Sequence, residues 1–151
     1  KIIRLQPSFF KVISNFESSA YYDAYSLAIS MINNNPISGI GMNNFYYACK
    51  NIEEFKRDVC WSHPHNFYLQ WFTENGLIGF IFFIVYISYI FKLIIIKNKR
   101  ISILDNYSLI PLVIIFWPIM STGSLLKNWH GIETFFIIGL SLSLNNIKKF
   151  N

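Results

Sequence analysis

Charge is what this sequence has least of. Only 14% of its 151 residues are Asp, Glu, Lys or Arg, against 53% hydrophobic and 19% aromatic, and so little charge cannot clothe the surface of an ordinary soluble domain. Internal repeats and low-complexity tracts are also missing, so the chain is neither a repeat array nor a linker. The "GIG" of Gly39 to Gly41 lacks a third glycine and a preceding strand, and reads as turn chemistry, not as a dinucleotide fingerprint. No initiator Met or signal-peptide apolar region opens "KIIRLQPSFFKV", which therefore reads as part of a longer protein.

What the chain does have is long apolar runs. From Gly76 to Ile96, "GLIGFIFFIVYISYIFKLIII" carries a single charge, Lys92; at about 1.5 Å per residue it covers about 31 Å, the thickness of bilayer hydrocarbon. Two further stretches, around 104–121 and 130–146, give about three transmembrane helices. The expected fold is thus all-α: a polytopic membrane bundle (76–151, ending in a cytoplasmic tail) after a helical outer loop region (1–75). Lys97, Lys99 and Arg100 close the first span and Lys148 and Lys149 follow the third, while the loop 121–130 holds only Lys127. Positive residues stay inside, so residues 1–75 and the loop lie on the outer face, the periplasmic side in a bacterium. The net charge of +5 is then a topology signal and not a nucleic-acid footprint.

The outer region balances Lys1, Arg4, Lys11, Lys50, Lys56 and Arg57 against Glu17, Asp23, Glu53, Glu54, Asp58 and Glu74. Within it, Ala24, Leu27, Ala28, Met31 and Ile32 recur at helical spacing after a cap at Ser18 or Ser19, and "NNNP" should stop that helix. Residues 36–45 form a turn-rich connection, and a second short helix is expected through "NIEEFKRDVC". Cys49 and Cys60 can close their loop as a disulfide in an oxidising compartment, worth about 2–3 kcal/mol.

The chemistry concentrates at "CWSHPHN", residues 60–66. Pro64 suits a first helical turn, so the expected helix begins at the histidines and runs on into the membrane. A helix N-terminus there would favour a neutral imidazole at His65 and offer free N–H groups to a phosphate. His65 shares its helical face with Gly76 and Gly79, where a neighbouring helix could approach closely; Glu74 falls on the opposite side. Packing and anchoring alone would also account for histidine and glycine at a membrane interface. Cys60, His63, His65 and His130 could alternatively hold a metal, but the spacing is not a recurrent one and no fourth ligand stands with the first three. Trp61, Phe67, Tyr68, Trp71 and Phe72 read as an interfacial belt, although such rings can also stack on a glycan.

These residues resemble the O-antigen ligase and O-antigen polymerase superfamily of bacterial membrane glycosyltransferases. Its hallmark is a His followed by Asn, Ser or Gln, nine residues, then Gly-x-x-Gly; His65-Asn66, Phe67 to Asn75 and Gly76-Leu77-Ile78-Gly79 match without a gap. "NNPISGIGMNNF" is similar to the family's Pro-x-x-Gly-x-Gly-x-x-x-Phe segment through Pro36, Gly39 and Gly41, and "STGSLLKNWHGIETFFIIGLSL" to its penultimate loop and last span.

The resemblance implies transfer of a glycan from an undecaprenyl diphosphate carrier to a lipid A–core hydroxyl at the periplasmic face of the inner membrane, with no metal, cofactor or nucleotide sugar. His65 would act as, or position, the general base that deprotonates the acceptor hydroxyl, and Asn66 would orient the loop or a sugar. His63 has no counterpart in the motif and is placed, with Tyr68, on the substrate side. Family arginines hold the diphosphate; one is expected fifteen residues before Pro36, where this chain has Tyr21, which leaves Arg57, Lys56 or Arg4. The alternatives are a polymerase extending O-antigen or another exopolysaccharide, and a non-catalytic protein that only binds or exports glycan-lipid.

Overall fold

The computed structural model describes residues 20–51, 60–97, 107–119 and 121–147. Among them every regular element is a helix: α1 (Ala20–Asn34), α2 (Phe45–Asn51), α3 (Phe67–Lys97), α4 (Ile110–Ile115) and α5 (Asn128–Ile147). Residues 52–59, where the second short helix was expected, lie outside the described residues, as do Arg4, Lys56, Arg57 and the basic residues Lys99, Arg100, Lys148 and Lys149.

Two small cores organise the helices. On α1, Ala24, Leu27, Ala28 and Met31 are buried, the face expected from its period. Leu27, Ala28 and Met31 pack with Phe45 and Cys49 of α2 and with Ile40, Trp61 and Leu69. Further along, Phe83, Ile87, Ile90 and Ile94 form a stripe on α3 at steps of four, three and four residues. That stripe packs with Phe67, Leu112, Phe116 and Ile138. The opposite side of α3 is apolar too, with Ile78, Ile81, Phe82, Val85 and Tyr89 exposed. Among the described residues α3 is the helix long and apolar enough to cross a membrane, and few of its positions are buried, unlike the core helix of a soluble protein.

Two features of the described residues bear on the expected spans. The first span does not continue smoothly from the histidines: Gly76, at φ 63° and ψ −168°, interrupts α3, leaving about 30 Å of helix beyond the break. In place of a second span across 104–121 the described residues hold only α4, six residues long and about 9 Å. Pro111 is tolerated in its first turn, but Pro118 disfavours the helical conformation at Trp117, and the helix ends at Phe116. The apolar stretch of α5, Trp129–Leu144, is shorter than that of α3.

Candidate functional site

The site is built where a loop closes over the break in α3. A helix interrupted at Gly76 leaves carbonyls without partners before the break and amides without partners after it. The turn from Pro36 to Gly41 supplies both kinds of partner: the Ile40 amide donates to the Thr73 carbonyl (3.0 Å), the Gly41 amide to the Glu74 carbonyl (2.9 Å), and the Leu77 amide to the Pro36 carbonyl (2.9 Å). Gly39 and Gly76, both at positive φ, permit the approach, since a Cβ on either would collide with the other segment's backbone. Glu74, 1% exposed, adds a side-chain tie by accepting the Asn43 amide at Oε2 (3.0 Å), and Gln70 beside it donates to Ser124 Oγ (2.7 Å). Among the described residues it is this loop that approaches Gly76, where a neighbouring helix was expected, and the atoms nearest Gly79 are those of the Asn75 side chain.

Residues 60–66 are fixed at both ends. A disulfide joins Cys60 to Cys49 at the end of α2, which removes Cys60 as a metal ligand. At the other end Asn66 caps α3: its Oδ1 accepts the Tyr68 (3.0 Å) and Leu69 (3.1 Å) amides, while its Nδ2 donates to the Pro118 carbonyl (2.7 Å). α3 thus begins at Phe67, and Pro64 and His65 precede it. The expectation that His65 occupies the first helical turn is corrected, and the amides expected to be free for a phosphate are taken by Asn66. His65 instead adopts φ 55°, a left-handed conformation that costs a residue with a side chain roughly 1–2 kcal/mol. The Thr122 amide, donating to the His65 carbonyl (2.9 Å), helps hold it there.

Three segments converge on the two imidazoles. The rings of His63 and His65 are 4.2 Å apart, and His65 also meets Trp61 (5.6 Å) and Tyr21 of α1 (5.9 Å) edge to face. Trp61 therefore packs on the histidine rather than forming part of a belt, and buried Phe67 and Trp71, stacked on Phe83 (5.1 Å), likewise turn inward. Lys127, from the turn before α5, donates to Ser62 Oγ (2.9 Å). The Ser62 hydroxyl in turn hydrogen-bonds His63 Nδ1 (2.9 Å). Burial, followed by the charges of His65 and Lys127 and a weaker contribution from His130, pushes His63 down to about 4 against an opposing pull from the Thr122 backbone. Burial and then Lys127 also lower His65. Both rings are neutral at neutral pH, and the causes are burial and a nearby ammonium, not the helix terminus expected from the sequence.

Other expected site residues are placed apart or are not described. The Tyr68 hydroxyl donates to the Phe116 carbonyl (2.7 Å), a tie between α3 and the end of α4. Glu74 contacts Asn43 and Gln70, in keeping with its separation from His65. Lys127 and Thr122 were not singled out for the site from the sequence. The only signal was that Lys127 is the single Lys or Arg in residues 121–130; nothing local ties it to residues 62–65.

Residues 9–84, which include the Pro36–Gly41 turn, both histidines and the break at Gly76, match the family model described as O-antigen ligase. No curated protein and no solved structure matches the chain.

Proposed function

The chain belongs to the O-antigen ligase family, and from that premise we propose that it transfers a glycan from undecaprenyl diphosphate to a lipid A–core hydroxyl on the periplasmic face of the inner membrane. The observation that carries this reading is the convergence on His65 of the Tyr21, Trp61 and His63 rings and of the segment that carries Thr122 and Lys127, where burial and then Lys127 lower its pKa. A general base must be unprotonated at working pH. In the proposed step His65 takes the acceptor hydroxyl proton, the acceptor oxygen bonds to the anomeric carbon, and the bond from that carbon to the carrier diphosphate breaks. The carrier leaves as an anion, and His65 later passes its proton to water. Lys127 is a cation placed to favour that anion, with Arg57 or Lys56 as further contacts. Asn66 contributes by fixing the entry to α3 and, through it, the backbone that carries His65.

Complementation tests this reading. The full chain, expressed in a strain without its own ligase, should restore glycan linked to lipid A on a gel of surface glycolipid. Carrier-linked glycan lengthened without reaching lipid A would instead identify a polymerase, and unchanged glycolipid with the protein present in the membrane would identify a non-catalytic binder.

A further inference from the structure

A cavity of about 470 Å³ opens between α4 and α5, with Phe67 and Thr122 in its lining. That volume suits a small ligand. Its walls differ in chemistry: Phe67, Pro111 and Ile114 present an apolar surface, whereas Thr122, His130 and Glu133 present polar groups. Thr122 is also the residue whose amide donates to the His65 carbonyl, so the cavity and the histidine share a backbone link. On the polar side, His130 Nδ1 lies 3.6 Å from Glu133 Oε2. Gly123 lies flush against the His130 ring, where any Cβ would displace the imidazole.

The combination selects among ligands. A pyranose has an apolar face of C–H groups and a rim of hydroxyls, and it matches one apolar wall and one hydrogen-bonding wall. A carboxylate accepts hydrogen bonds from hydroxyls, whereas it repels phosphate oxygens. An isoprenoid chain would leave Glu133 and His130 without purpose. It better fits the separate cavity of about 460 Å³ around Trp71, Phe82, Phe83 and Phe135, whose lining is almost wholly apolar. The diphosphate belongs on the Lys127 side, away from Glu133.

We propose that the cavity between α4 and the first turn of α5 is the acceptor-sugar site, in which an uncharged pyranose rests on Phe67, Pro111 and Ile114 and Glu133 accepts its hydroxyls. This rests on His65 being the base; the link between the two is Thr122, which lines the cavity and whose amide donates to the His65 carbonyl. Glu133 is well exposed, so replacing it leaves the packing of the fold intact.

The test is steady-state transfer by the full chain in detergent, using donor and lipid A–core extracted from the expression strain and varying each in turn. Glu133→Gln should raise the acceptor KM about tenfold or more, the loss of roughly one hydrogen bond to a charged group, with donor KM and kcat within twofold of wild type. Glu133→Asp should recover part of the loss. An unchanged acceptor KM, or a rise confined to the donor KM, overturns the assignment. His65→Ala separates the two claims: if it keeps full kcat the base reading fails, while the acceptor KM of Glu133→Gln still reports on the cavity.

Discussion

Gly39 and Gly76 meet backbone to backbone: a Cβ added to Gly39 would stand 2.5 Å from the Gly76 amide nitrogen. The turn that carries Gly39 and the break that carries Gly76 are therefore one structure, each supplying hydrogen bonds that the other lacks. The two sequence segments that resemble the family, thirty-seven residues apart at these glycines, come together in that contact.

Alanine at either glycine should consequently do more than remove conformational freedom. Gly39→Ala and Gly76→Ala each place a side chain at positive φ and against backbone that cannot move aside, with an expected cost of at least about 2 kcal/mol. Thermal unfolding in detergent should show a lowered midpoint for both. Gly79→Ala, whose Cβ would stand 2.2 Å from the Asn75 Cβ but without the positive φ, should lower it too.

Asn66 gives a graded pair. Asn66→Ala loses both the α3 cap and the tie to Pro118, with an expected cost of about 1–2 kcal/mol. Asn66→Asp retains an oxygen for the cap but has no donor for the Pro118 carbonyl, so its unfolding midpoint should fall between those of wild type and the alanine variant.

Burial and then the Lys127 ammonium lower His65, and transfer requires His65 without its proton, so activity is lost as pH falls through the His65 pKa. Removing the charge lets His65 hold its proton to higher pH. Lys127→Met should therefore move the acid limb of the pH–rate profile upward, and Lys127→Arg should leave it near the wild-type position.

His63 links folding to pH in the same range. Its folded value of about 4 lies below the ordinary histidine value of about 6.5. Between those two values the unfolded chain binds a proton that the folded chain does not, so stability falls as pH drops from about 6.5 to about 4. Urea unfolding across that window should show the decline, and His63→Asn, which does not titrate, should flatten it.

The buried face of α1 was legible because Ala24, Leu27, Ala28 and Met31 follow a helical period set by local sequence. The apolar length of α3 was legible for the same reason. The break at Gly76 was not: "GLIGFIFF" continues the apolar run without a pause, and what stabilises the interruption is a turn far earlier in the chain. Pro118 did carry a local signal for the short α4, but it was hidden inside an apolar stretch. At the candidate site the sequence pointed to His65 as neutral yet attributed this to a helix terminus. The actual causes, burial and Lys127, arise from contacts between residues 62–65 and 121–127 that only the folded chain brings together.

The most direct test of the account is the transfer rate of His65→Ala relative to wild type, measured at neutral pH in the full chain at equal membrane abundance. Loss of a general base predicts a fall of roughly 10²–10⁴-fold, with the unfolding midpoint little changed. A rate within twofold of wild type would contradict the account, because the neutral imidazole at the meeting point of these segments would then have no part in the chemistry.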